Sequence, residues 1–246
     1  MRDIADILLF RTDISPFLVH LTRVREGVSA SDRLEQILNQ RQLLPGSSQT
    51  SDARFGGNTM DMPEDVKRRF FGAVCFTETP IAEAHCLLEI DGRAVNLEPY
   101  GLVFVKERLK CRNVAPVLYI NNEAGTADQV FHGLFTLIAS QPLAAERLLP
   151  LVSVFGLKVW PPGAPARPAG RVDFTWEREW RHPAALGPFP FTRDDVFCGL
   201  CPHDAIAHFE GMYPPIRFID PRRNMKWYAK SLIESRQRLD LKYSVV

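Results

Sequence analysis

The chain has 246 residues, 46% hydrophobic and 24% charged, which suits one large or two small globular domains with a substantial core. A formal net charge of +1 excludes a global field pulling the protein toward nucleic acid or an anionic membrane, although 30 Lys and Arg leave room for a local basic patch. Apolar stretches such as Leu143 to Trp160 are broken by Glu146, Arg147 and Lys158, the first residues lack a secretory apolar region, and the five cysteines are irregularly spaced; the expectation is a cytoplasmic chain with reduced thiols and no membrane partner.

In chain order, residues 17–22 read as a strand after Ser15-Pro16. A helix over 32–44 follows, with Asp32 and Glu35 resembling a capping box, Leu34, Ile37 and Leu38 as its apolar stripe, and Pro45-Gly46 as its stop. Residues 47–62 are polar and read as a long loop. Pro63 opens a short helix to Phe71, then residues 73–77 form a buried strand and residues 80–90 a helix. Strands at 102–105 and 117–120 flank a short helix at Lys106 to Lys110. Helices at 127–140 and 143–155 are separated by Pro142, and the four prolines of 161–168 preclude regular structure, giving a second loop at 161–170. Later strands are expected at 173–181, 196–198 and 217–220, and a terminal helix at 224–239 with Trp227, Leu232 and Ile233 as core candidates. Strands and helices mix without strict alternation, which favours an α+β class, and we read residues 1–246 as a single domain.

Two segments carry the candidate chemistry. His20 and Thr22 lie two apart on a strand and so point the same way, where an imidazole and a hydroxyl can hold a ribose and an amide. In Trp176-Glu177-Arg178-Glu179-Trp180-Arg181, a strand would put both tryptophans and Arg178 on one face and Glu177, Glu179 and Arg181 on the other. Two carboxylates roughly 7 Å apart on one strand face can stabilise the oxocarbenium-like cation formed when a leaving group departs a sugar. The competing reading is a surface ladder of Glu and Arg, worth little energetically.

Other constellations are weaker. Cys198-x-x-Cys201 has zinc-knuckle spacing, but the usual long spacer before His203 and His208 is missing and those two, five apart, would not share a helix face, so we expect no metal. Lys67-Arg68-Arg69, and Arg222-Arg223 with Lys226, can contact phosphate or be solvated faces. No dinucleotide-binding glycine fingerprint, phosphate loop or Gly-x-Ser-x-Gly elbow is present. Asp173, Glu177 and Glu179 also admit a metal-dependent nuclease, without the lysine such sites use.

The segments Cys75-Phe76-Thr77-Glu78-Thr79-Pro80, Pro99-Tyr100-Gly101-Leu102-Val103-Phe104, Ala115-Pro116-Val117-Leu118-Tyr119 and Glu177-Arg178-Glu179-Trp180-Arg181, in that order, resemble the AbiGi-type abortive-infection proteins of bacteria over about residues 17–221. The same order resembles the ADP-ribosyltransferase fold, in its DNA-modifying DarT-like branch. That resemblance implies a split, mixed or antiparallel sheet with flanking helices, and NAD as substrate. It implies His20 and Thr22 as NAD-holding residues, one of Phe76, Tyr100 or Tyr119 stacking on nicotinamide, Glu179 as the catalytic glutamate and Glu177 orienting an acceptor. The branch's arginine matches Arg54, Arg68 or Arg69. The second-motif serine or tyrosine of better-known transferases has no clear counterpart. The implied context is phage defence or a toxin–antitoxin system, with a nucleic acid or protein acceptor and a possible cognate partner. The alternative is a non-enzymatic antitoxin or sensor binding a protein or nucleic acid.

Overall fold

The computed structural model describes residues 14–46, 62–90, 96–121, 126–157, 171–173 and 175–241. The loop expected at 47–62 lies outside these apart from Met62, as do Arg54 and the expected loop at 161–170. In chain order the regular elements are β1 (Phe17–Leu21), α1 (Ala30–Gln40), β2 (Gln42–Leu43), α2 (Glu64–Phe71), β3 (Ala73–Thr77), β4 (Gly101–Val105), α3 (Lys106–Lys110), β5 (Ala115–Pro116), β6 (Leu118–Asn121), α4 (Thr126–Ser140), α5 (Pro142–Leu148), β7 (Val152–Leu157), β8 (Arg171–Val172), β9 (Glu179–Pro183), β10 (Phe189–Pro190), β11 (Val196–Leu200), α6 (Ile206–Met212), β12 (Phe218–Ile219) and α7 (Ala229–Arg238). Short 3₁₀ turns cover Ile81–Leu88, Thr175–Glu177 and Met225–Tyr228, among others.

Several boundaries differ from the sequence reading for identifiable reasons. α1 starts earlier, because Ser29 caps it by accepting from the Asp32 amide, and it stops at Arg41, whose φ of 52° is left-handed, before Pro45 is reached. The helix expected over 143–155 ends at Leu148. Pro150 cannot sit inside a helix, and the β-branched Val152 and Val154 that follow extend as β7. Trp227 and Ile233 are exposed rather than core, because Met225, Tyr228 and Leu232 take the inward side of the C-terminal segment.

The chain packs into two compact units interleaved in sequence. The first comprises the described parts of Met1–Gln42, Phe76–Arg112 and Pro190–Val246. Its strands run in the order β12-β11-β4-β1, followed by the last two residues of β3. β1 pairs antiparallel with β4 from Phe17↔Val105 to Leu21↔Gly101, β4 antiparallel with β11, and β11 parallel with β12. At Gly101 a Cβ would run into the His20 carbonyl, so only glycine allows β4 this approach to β1. Phe17 stacks on Phe197 at 4.2 Å between centroids, and Val19, Val103, Leu200, Ile219, Tyr228 and Leu232 are among the residues of that core. Each such side chain stabilises the fold by about 1.5–3 kcal/mol through area removed from water. A buried ion pair, Lys106 to Glu78 at 2.7 Å, also bonds the Ser15 carbonyl and ties α3 to the entry of β1.

The second unit comprises the described parts of Leu43–Cys75 and Asn113–Phe189. It orders the first three residues of β3, then β9, then β5, with Ala115↔Arg181 and Pro116↔Trp180 paired antiparallel. A second sheet runs β6-β7-β8, parallel between β6 and β7 and antiparallel between β7 and β8. Phe70 and Phe71 of α2 pack with Ala145, Leu149, Val152 and Val154. Both units are α+β with helices against sheet, and the strand pairing of the chain as a whole is mixed parallel and antiparallel.

Candidate functional site

In the second unit the expected strand at 173–181 is half turn. Asp173 accepts from the Thr175 amide at 2.9 Å and the Thr175 hydroxyl at 2.5 Å, bonds that hold its carboxyl below the usual range and start the 3₁₀ turn. Arg178, at φ 47°, then reverses the backbone, and β9 begins only at Glu179. The alternation expected for 176–181 therefore fails. Trp176 is exposed with its indole N–H on the Asp173 carbonyl, whereas Trp180 is buried. Glu177 sits in the turn at 6% exposure and shares no strand face with Glu179.

Glu179 and Arg181 do share a face, as residues two apart on a strand must. Arg181 Nε donates to Glu179 Oε1 at 3.1 Å and Nη2 to Oε2 at 2.5 Å, a bidentate pair. The guanidinium is 1% exposed. Its remaining nitrogen, Nη1, donates to the carbonyls of Pro150 (2.9 Å) and Val152 (3.1 Å), just before and at the start of β7. Burial opposes the Arg181 charge, but the Glu179 carboxylate beside it more than compensates and raises its affinity for the proton. Tyr119, on β6, accepts the Glu179 backbone N–H at 3.2 Å. Burial first, and then the charge of Glu179, keeps its phenol protonated well above the ordinary range. A carboxylate offers about four acceptor positions. Glu179, 17% exposed, is thus a fixed anion carried on a rigid element, oriented from within by a cation that cannot move. Such an arrangement can stabilise positive charge developing at a reacting carbon without reorganising.

His20, Thr22, Phe76 and Tyr100 belong to the first unit, and Glu177, Glu179 and Tyr119 to the second. His20 is half-buried on β1 with its ring 5.8 Å from that of Phe76. Thr22 is 3% exposed, and its hydroxyl oxygen lies 3.0 Å from both the Ala30 and Tyr100 carbonyl oxygens, so its one proton stitches α1 or β4 to the end of β1. Phe76 is 2% exposed and packs edge-on against Phe104 at 5.7 Å. Tyr100 is half-buried beside Phe209, its phenol raised by burial and partly relieved by the Ser31 hydroxyl.

The first unit also holds a polar cluster that the sequence reading did not assemble. Asp220, at the end of β12, accepts the amides of His203 (3.1 Å) and Arg222 (3.0 Å) and both arms of the Arg222 guanidinium at 3.1 Å. Burial pushes its carboxyl up, but the Arg222 contacts outweigh that and hold it below the usual range. His203 Nδ1 lies 3.1 Å from the Tyr228 hydroxyl. Burial raises the Cys198 thiol and pushes Cys201 up to about 12, so both are protonated, inert groups at neutral pH. Among the described residues no three His, Cys, Asp or Glu side chains cluster to hold a metal ion. Lys67 is buried beside Glu64, and Arg69 pairs with Glu146 at 2.5 Å, so this run does not form one continuous exposed basic face. The spacing Asp220-x-Arg222, which repeats that of Glu179-x-Arg181, is the signal that would have found the cluster.

No family model, curated protein or solved structure matches this chain. Among the described residues no helix is long and apolar enough to cross a membrane.

Proposed function

We propose that the chain is an ADP-ribosyltransferase-like protein of bacterial phage defence or a toxin–antitoxin system, with NAD as substrate and Glu179 as its catalytic carboxylate. One observation carries the reading: the Glu179 carboxylate is held bidentately by a buried arginine at the start of a strand. In the reaction the bond between the ribose anomeric carbon and the nicotinamide nitrogen breaks. Nicotinamide departs with the electron pair, and the resulting cation is stabilised by Glu179 until an acceptor nucleophile bonds the same carbon and gives up its proton. The mixed α+β architecture and the motif order support the assignment. Glu177, buried in the turn before β9, is given no separate role in the proposal. The proposal places no weight on Thr22 or Phe76, whose hydroxyl and ring are engaged within the first unit; within the second unit, Tyr119 beside Glu179 is the residue proposed to meet NAD.

The test is NAD turnover by the purified protein with nucleic acid and protein acceptors. Glu179→Gln keeps the shape and removes the charge, and is expected to lower nicotinamide release by about 10²–10³-fold. Absence of release with every acceptor, together with no thermal shift on adding NAD, overturns the proposal. The engagement of Thr22 and Phe76 favours one other reading, a non-enzymatic antitoxin or sensor. In that case Glu179→Gln leaves a growth or defence phenotype intact, while Arg68→Glu, at an exposed position, abolishes it.

A further inference from the structure

Ala84 and Leu87, at 0% and 2% exposure, anchor the 3₁₀ turn Ile81–Leu88 of the first unit. Such a turn repeats every three residues, so with 84 and 87 inward the positions between them face out. His85 is half-buried there, and Cys86 is an exposed thiol outside any disulfide. The two side chains meet, with His85 Nε2 3.5 Å from Cys86 Sγ. On the other side of the ring, Nδ1 lies 3.1 Å from the Ala82 carbonyl oxygen. A carbonyl can only accept, so Nδ1 carries the proton of the neutral ring and Nε2 turns its lone pair to the thiol. One turn therefore holds a nucleophile, a base within its reach and a third group that orients the base. The same repeat puts Glu83 one turn before Cys86 and Glu89 one turn after it, both exposed.

We propose that Cys86 is a modification site that forms mixed disulfides with small cationic disulfides, with His85 as its base. In the step, His85 Nε2 takes the Sγ proton and the Cys86 sulfur attacks one sulfur of the incoming disulfide. A bond from Cys86 to that sulfur forms as the original sulfur–sulfur bond breaks. The departing thiolate takes the proton back from His85. Cys86 is thereby oxidised, the other half of the disulfide is reduced to a thiol, and the imidazole is restored. Charge selects the partner. The carboxylates of Glu83 and Glu89 flank the sulfur, so a disulfide bearing ammonium groups is drawn in and one bearing carboxylates is repelled. Exposure gives Cys86 the access that the buried Cys198 and Cys201 lack. The site stands apart from the transferase reading, whose Glu179 and Tyr119 belong to the second unit, and its chemistry needs no NAD.

The experiment treats the reduced protein with cystamine, a dication, or with glutathione disulfide, an anion, and reads the occupancy of each cysteine over time by peptide mass spectrometry. With cystamine, Cys86 is expected to react about 10-fold faster than the model thiol N-acetylcysteine amide at the same pH, and His85→Gln to remove most of that advantage. Glu83→Gln with Glu89→Gln is expected to lower the ratio of the cystamine rate to the glutathione disulfide rate at Cys86. A Cys86 rate no higher than that of the model thiol, a rate that His85→Gln does not lower, or a ratio that the double variant does not move overturns the proposal. The substituted side chains lie outside the inward pair Ala84 and Leu87, so the thermal melts of the variants should match wild type. An unchanged rate at Cys111, exposed after α3 in the same molecules, separates lost reactivity from lost fold.

Discussion

Each unit contains a carboxylate and an arginine two residues apart, and the two pairs are built in opposite senses. In Glu179–Arg181 the cation is sealed at 1% exposure and the anion is the outward member. In Asp220–Arg222 the anion is sealed at 4% and the cation is half-exposed. The buried member decides the role of the outer one. A sealed arginine with carbonyl partners fixes a carboxylate that can face a developing cation, whereas a sealed aspartate with amide partners fixes a guanidinium that can face a phosphate. An equal charge count therefore gives one surface suited to positive charge and another suited to negative.

The sharpest way to break this comparison is to delete the arginine of each pair. Arg181→Met strands Glu179 and two carbonyls, and is expected to cost about 3 kcal/mol. Arg222→Met leaves Asp220 its backbone amides and is expected to cost less than about 1 kcal/mol. Urea unfolding of both variants reads the difference, and equal costs would remove the asymmetry.

A smaller effect sharpens the buried-anion half. The Asp220 carboxyl is held below its ordinary 3.8 in the folded chain. Its stabilising contribution is therefore present above that value and is lost as pH falls through the lower folded one. Asp220→Asn should flatten the fall in melting temperature below about pH 4, although the variant starts from a lower plateau.

The smallest effect belongs to the buried-cation half. Tyr119 ionises near 10.0 when unfolded and well above that when folded, so its contribution is complete below that pH and declines as pH rises beyond it. Tyr119→Phe should remove that part of the alkaline decline and cost about 1 kcal/mol for the lost bond to the Glu179 amide. A melting-temperature series from about pH 8 to 11 checks both.

The sequence made some of this legible. The runs that became β1, β3 and β4 are short, apolar and rich in β-branched or aromatic residues, and their burial left little alternative. The Glu179 and Arg181 pairing could be read from period-two spacing once a strand was granted. The turn before it could not: arginine has no special tolerance for a positive φ, so nothing local announces the reversal at Arg178. β7 is hidden in the sequence because Ala144, Ala145, Glu146, Arg147 and Leu148, which precede it, are strong helix formers. Pro150 was the available warning. Trp227 misled because a large aromatic on a helix is usually read as core, and only the inward claim of Met225 and Tyr228 shows otherwise.

The interleaving of the two units has a consequence for synthesis. β4 needs β11 as a neighbour, and β11 starts at Val196, after the last residue of the second unit at Phe189. As the polypeptide leaves the ribosome, the unit begun first must wait, with an edge of β4 open, until the other has been wholly translated. No single cleavage of the gene releases the first unit intact, and a chaperone guarding that open edge would have to act during elongation rather than after it.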